Sequence, residues 1–110
     1  MQINPLKLLE KEFILLVLQY LHLNPNGRTL EQISSSVDHN VDPSIINSCL
    51  KTLFDLGLVK MVQGEEEFTI FYALTGKGRY ASEIVWDLFR VIINPQDSDD
   101  LGGDVLDFYR

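Results

Sequence analysis

Apolar residues recur with a helical period in four segments of the chain and with a period of two in one shorter segment. The first segment, residues 4–23, opens with Asn4 and Pro5, which suit the cap and the first turn of a helix. Its centre, FILLVL, is apolar around most of the helical circumference, so we expect this helix to be covered on two sides. The sequence NPNG at 24–27 ends it.

Two shorter helices are predicted in the middle of the chain. Thr29 and Gln32 can form a capping box that opens one helix. Asp42 and Pro43 provide the cap and first residue of the next, which ends at residues 56–57. At about 100° per residue, apolar and polar side chains divide this second helix into two halves. The apolar half is Ile45, Ile46, Cys49, Leu50, Leu53, Phe54 and Leu56, and the polar half is Ser44, Asn47, Ser48, Lys51, Thr52 and Asp55.

A β-hairpin and a last helix follow. Leu58 and Val59 lead into a strand, Gly64 marks a tight loop, and a return strand ends in YALT. In the return strand, residues expected to face the core alternate with residues expected to face solvent, and the inward set is Phe68, Ile70, Tyr72 and Leu74. Thr75 caps a helix at roughly 76–93, which holds more apolar residues than one helix face can accommodate.

Length and composition favour one compact domain. The chain has 110 residues and 45% hydrophobic content, which suffices for a single core. The longest apolar run, residues 13–18, is too short to span a membrane. Since the N-terminus lacks the basic start and cleavage site of a signal peptide and Cys49 is the only cysteine, we expect a cytoplasmic protein without disulfides or membrane contact.

The net charge of −7 bears on the class of partner. Residues 96–110 hold five acids against Arg110, so more than half of the excess negative charge belongs to this C-terminal tail. Acidic surface repels phosphate, and binding to a nucleic acid would therefore require a local basic patch.

Two stretches carry a family resemblance. The sequences CLKTLFDLGLVK, at 49–60, and YALTGKGR, at 72–79, resemble the recognition helix, strand and wing of winged-helix transcription regulators in the PadR, MarR and ArsR groups. The resemblance implies a mainly α fold with a small β-hairpin wing, a winged helix-turn-helix, and homodimers that bind palindromic operators. It implies a winged-helix domain at 1–95 with N- and C-terminal dimerisation helices, followed by an acidic tail at 96–110.

By this resemblance the protein is a DNA-binding transcriptional regulator whose recognition helix lies at 42–56. Asn47 would read adenine, and Lys51 would contact guanine or phosphate in double-stranded DNA. The other predicted DNA contacts are Arg28, Ser44, Ser48, Thr52, Lys77 and Arg79. The alternative for the same residues is an ordinary solvated helix face with scattered charges.

The predicted wing departs from the family pattern. Family wings commonly present a basic residue, whereas Glu65, Glu66 and Glu67 occupy this hairpin tip. The simpler interpretation is a solvated tip that protects a strand edge from aggregation. The other is a docking surface for a basic protein. This second interpretation leads to the alternative function, a protein–protein interaction module with an acidic wing and tail and no DNA binding.

The first and last helices together have more apolar surface than one small domain can cover. Trp86 falls on the polar side of the last helix, which suggests an exposed tryptophan that another chain or the VLDFY sequence of the tail would bury. We expect homodimerisation through these helices, with contacts from Phe13, Leu16, Tyr20, Val85, Trp86, Phe89 and Ile93. The alternative is that the two helices bury each other.

Metal binding and catalysis are not supported by the sequence. His22 and His39 are too few and too scattered to form a metal site with Cys49, which lies on the apolar half of its helix. No nucleophile elbow or glycine-rich phosphate loop is present, and GKG at 76–78 fits a helix start better than a phosphate cradle. We therefore expect a non-enzymatic protein without metal or cofactor.

Overall fold

The computed structural model describes residues 4–38, 40–66 and 68–94, and the predicted acidic tail lies outside them. The fold is mainly α-helical with one antiparallel two-stranded hairpin, which confirms the predicted fold class. The elements in chain order are α1 (Pro5–Leu8), α2 (Ile14–His22), α3 (Leu30–Asp38), α4 (Pro43–Asp55), β1 (Val59–Gln63), β2 (Ile70–Leu74) and α5 (Gly76–Ile93).

The helix boundaries follow the capping residues read from the sequence. The Thr29 N–H donates to Gln32 Oε1 at 2.9 Å and the Gln32 N–H donates to Thr29 Oγ1 at 3.2 Å, so the capping box forms. Asp42 accepts from the Ser44 N–H at 2.9 Å and caps α4. Thr75 accepts from the Gly78 N–H at 3.0 Å and caps α5. Local side-chain chemistry therefore sets where these helices begin.

The N-terminal helix is interrupted, so the prediction of one helix over 4–23 is wrong. Asn4 caps α1 as expected, but α1 ends at Leu8 and α2 begins only at Ile14. Phe13, between them, has a left-handed backbone with φ of 73°. The linker at 9–13 contacts α4 instead of continuing the helix, and these tertiary contacts override the apolar pattern.

Helix α2 lies at the centre of the core. It packs against α3, α4, α5 and β2, and its side chains Ile14, Val17, Leu18 and Leu21 are almost completely buried. The rest of the core comes from the other elements: Ile33, Ile46, Cys49, Leu50, Leu53, Leu58, Val59 and Leu74. Each fully buried aliphatic side chain contributes roughly 1.5–3 kcal/mol relative to exposure, so this cluster holds the helix-turn-helix and the hairpin on one scaffold.

Burial in the hairpin varies along the strands rather than alternating between faces. At the base, Ala73 and Leu74 are both buried, whereas Phe68 at the tip is 87% exposed. The predicted inward position of Phe68 is therefore wrong. The reason is that the domain covers both faces of the base, where Tyr72 also pairs with Arg28 in an isolated bridge. The tip of the hairpin extends beyond the part of the domain that covers the base, so Phe68 stays in contact with solvent.

Gly78 permits a close approach between α5 and Leu58, the residue just before β1. A Cβ atom at this position would lie 1.8 Å from the Leu58 carbonyl oxygen, which is backbone and cannot move aside cheaply. The sequence GKG at 76–78 therefore opens the helix as expected, and its second glycine is required by packing.

Candidate nucleic-acid interface

Helix α4 presents a polar strip to solvent. Ser44, Asn47, Lys51 and Asp55 are all exposed, and their spacing of three to four residues places them along one face. The opposite face holds the buried residues Ile46, Cys49, Leu50 and Leu53. Helix α3, a short connection and α4 thus form a helix-turn-helix whose second helix presents Ser44, Asn47 and Lys51 to solvent.

The hairpin borders this strip on one side. Asn47 and Lys51 line a depression of about 220 Å³ together with Phe54, Met61 and Tyr72. Phe54 was expected on the buried half of α4 but is 45% exposed. That expectation is wrong because the apolar half of α4 is wider than the surface that its neighbours cover. Ile45, at 42% exposure, departs from the expectation for the same reason.

The α1–α2 linker borders the strip on the other side. Lys11 Nζ donates to Ser48 Oγ and to Thr52 Oγ1, both at 2.9 Å. Lys11 was not predicted to belong to this surface, since it lies 37 and 41 residues from its partners. No local sequence signal marks such a contact, because it depends on the break between α1 and α2.

Cys49 lies beneath this linker and is buried. Its Sγ contacts the Glu12 carbonyl oxygen at 3.1 Å as a weak donor. Burial raises the pKa of the Cys49 thiol, and the nearby Lys11 ammonium offsets part of that increase. The thiol is thus not activated as a nucleophile. Within the described ranges, no group of three potential ligands is placed to hold a metal ion.

The wing tip carries acids and no base. Glu65 and Glu66 are exposed, and Glu67 lies outside the described residues. Lys60 is exposed but belongs to β1, where it pairs with Ala73 near the base of the hairpin. The helix-turn-helix and the hairpin are thus arranged as a recognition helix beside a wing with an acidic end.

The arrangement of helices and wing is found in solved transcription regulators. A possible HxlR family transcriptional factor from Thermoplasma volcanium matches with a TM-score of 0.72 and 28% sequence identity, over 82% of this chain and 79% of that chain. FabT from Streptococcus pneumoniae, solved in complex with DNA, matches with a TM-score of 0.64 and 16% identity, over 89% and 72%.

A third match is a MepR mutant from Staphylococcus aureus, solved bound to an oligodeoxyribonucleotide. It has a TM-score of 0.65 and 15% identity, over 94% of this chain and 83% of that chain. The chain has the winged helix-turn-helix fold. The resemblance to winged-helix regulators is therefore confirmed. No protein-family model and no curated protein sequence matches the chain.

The three cations outside α4 that were predicted to contact DNA have different surroundings. Lys77 Nζ donates to the Leu56 carbonyl oxygen at 3.1 Å and so caps the C-terminal end of α4. Arg28 Nη1 donates to the Gly27 carbonyl oxygen at 3.1 Å, next to the bridge with β2. Arg79 is half-buried in the first turns of α5. Their contacts to phosphate remain predictions.

Six of the seven residues predicted for dimerisation divide into two groups. Phe13, Tyr20 and Val85 are partly buried against the core of their own chain. The side chains that remain exposed are Leu16, Phe89 and Ile93. Helix α2 therefore covers only part of α5.

Trp86 was expected to be exposed, and this expectation is wrong. The side chain is half-buried: its ring lies 5.3 Å from the Phe89 ring, edge to face, and 6.3 Å from the His22 ring. Its Nε1 atom is enclosed without a hydrogen-bond partner among the described residues. His22 in turn contacts the buried Ser82 at 2.7 Å, so this part of α5 packs on the end of α2.

An apolar groove runs between the N-terminal segment and α5. We call it the terminal-helix groove; it has a volume of about 410 Å³ and its apolar lining includes Leu6, Leu9, Leu15, Leu18, Ile84 and Leu88. It continues along α5 to Phe89 and Ile92, the latter 69% exposed. None of the described helices is both long enough and apolar enough to cross a bilayer.

Proposed function

We propose that this protein is a DNA-binding transcriptional regulator that inserts α4 into the major groove. The observation that carries the proposal is the exposed polar strip of Ser44, Asn47 and Lys51 on the second helix of a helix-turn-helix. The match to a possible transcriptional factor at 28% identity and the two matches solved with DNA support it.

The side chains of the strip suit recognition of bases and phosphates. An α-helix has a diameter of about 10–12 Å and fits a major groove about 12 Å wide. Asn47 can donate one hydrogen bond to adenine N7 and accept one from the adenine N6 amino group, and Lys51 can donate to guanine or phosphate. Ser44, in the first turn, can donate its hydroxyl proton to a phosphate oxygen, whereas its N–H is already bonded to Asp42.

The protein acts as a homodimer in this proposal, with the second copy seated on the terminal-helix groove. Leu6, Ile84 and Leu88 are each more than half exposed, and a second copy would remove them from water. A two-fold axis through this surface would present two recognition helices to half-sites about 34–36 Å apart. The apolar character of the groove supports a pairing surface rather than a DNA contact.

The proposal can be tested by fluorescence anisotropy with labelled genomic fragments, including the region upstream of the gene. We expect sequence-selective binding that weakens steeply as salt rises from about 50 to 200 mM. Lys51→Glu should strongly weaken this binding, and Lys7→Glu, an equal charge change on exposed α1, is the control. Absence of binding even at low salt would contradict the proposal and leave the protein-interaction alternative for pull-down experiments.

A further inference from the structure

We propose that Lys11, Ser48 and Thr52 form a binding site for a backbone phosphate of DNA on the flank of the recognition helix. The inference rests on the proposed function, since it names a contact made by the same helix. It adds Lys11, a residue from outside the helix-turn-helix, to Ser48 and Thr52, which were predicted to contact DNA.

The hydrogen bonds at Lys11 leave three donors available. Its ammonium group has three N–H donors, of which two are used at 2.9 Å, one by Ser48 Oγ and one by Thr52 Oγ1. Because both hydroxyl oxygens act as acceptors in these bonds, the hydroxyl protons remain free to donate outward. One ammonium N–H and two O–H groups can therefore converge on the oxygen atoms of one phosphate.

The charge of Lys11 is not neutralised by a carboxylate in the described part of the chain. The one ion pair found there joins Arg90 to Asp87, on α5. The bonds from Lys11 to both hydroxyls lie at the surface, so an incoming phosphate would not have to displace protein. A charge-assisted bond to phosphate is about twice as strong as one between neutral groups.

The position of the ammonium is fixed in advance. The next residue, Glu12, accepts a bond from the buried Cys49 through its carbonyl oxygen, so two consecutive linker residues are tied to α4. Phe13 then turns the chain into α2 with a left-handed backbone. A lysine usually loses considerable side-chain freedom when it binds, and this loss has already occurred during folding.

Lys11 and Lys51 lie on opposite flanks of the polar strip. Lys51 lines the depression beside the wing, whereas Lys11 contacts Ser48 and Thr52 on the side of the linker. A helix in the major groove has a phosphate backbone along each of its sides. The two ammonium groups are thus suited to phosphates of opposite strands, which would fix the rotation of α4 in the groove.

The test measures affinity of the full chain for a fragment that the wild type binds, as a function of salt concentration. Lys11→Met removes the charge and keeps the aliphatic stem; the slope of log K against log[salt] should fall by about 0.9 per subunit. Affinity should weaken equally for specific and unrelated sequences. Lys7→Met is the matched control and should keep the wild-type slope, while Lys11→Arg should retain it by keeping a cation.

A folded Lys11→Met variant with the wild-type slope would overturn the inference and leave Lys11 as a tie between linker and α4. If this variant does not fold, Lys11→Gln replaces it, because an amide can still donate to the hydroxyls without a charge. Failure of the wild type to bind any fragment would overturn the proposed function itself. The two failures are therefore distinguishable.

Discussion

Two exposed surfaces of this protein differ in chemistry. The polar strip of α4 presents Asn47 and Lys51 to solvent, whereas the terminal-helix groove presents Leu6, Ile84 and Leu88. The strip stays solvated at little cost, but the groove leaves apolar area in water at about 25 cal/mol per Å². The exposed apolar area of the groove favours burial by a partner, which is the pairing proposed above. The polar strip needs no cover, and its proposed role depends on the helix-turn-helix that presents it.

The comparison assigns separate effects to mutations on the two surfaces, and the largest is expected at the strip. Lys51→Glu should lower DNA affinity by about 10³-fold, because each subunit of a dimer loses a contact worth roughly 1–3 kcal/mol. Light scattering should show an unchanged oligomeric state. An anisotropy titration with nearly wild-type affinity would remove Lys51 from the interface.

A carboxylate in the groove should have the next largest effect. Leu88→Glu should yield monomers in light scattering, because it buries a charge against the second copy. Apparent DNA affinity should then fall by about 10²-fold or more, since two linked recognition helices bind far more tightly than one. Arg90→Glu, on the polar side of α5, is the control and should remain dimeric. A dimeric Leu88→Glu variant would place the pairing surface elsewhere.

The next effect is smaller and opposite in sign, a gain in DNA affinity from a mutation at the end of the strip. Asp55 is exposed one turn beyond Lys51 and opposes the approach of phosphate. Asp55→Asn should tighten DNA binding by about two- to fivefold at low salt, corresponding to roughly 0.3–1 kcal/mol for an exposed charge. The difference should shrink as salt screens the charge. No gain at any salt concentration would mean that Asp55 lies beyond the reach of the DNA backbone.

The smallest effect is expected at the wing tip. Glu65→Gln combined with Glu66→Gln should change DNA affinity by less than about twofold at 0.1 M salt, where charges beyond about 10 Å are screened. The tip carries no base among its described residues, so we expect DNA contact on α4 instead. A large gain measured by anisotropy would show that the tip lies close to phosphate.

The features predicted from the sequence are those set by neighbouring residues. Thr29, Asp42 and Thr75 each cap a helix through a side-chain bond to a backbone N–H two or three residues on, so a short stretch of sequence is sufficient. The polar strip of α4 also follows from helical spacing alone. These local signals were enough to identify the winged helix-turn-helix.

The features missed from the sequence depend on packing between distant segments. Helical periodicity does not reveal that residues 9–13 leave the helix to contact α4, and without that break Lys11 has no reason to meet Ser48. Trp86 falls on the polar side by spacing, yet His22 and Phe89 partly cover it. Periodicity gives the direction of a side chain on its own helix, not which neighbours reach it.

The most direct test of whether α4 enters the major groove is methylation interference on a bound DNA fragment. Methyl groups would be placed on guanine N7, which faces the major groove, or on adenine N3, which faces the minor groove. If α4 of each subunit enters the major groove, N7 methylation should block binding in two half-sites centred about 34–36 Å apart. Interference confined to adenine N3, or absent at every guanine, would contradict insertion of α4 into the major groove.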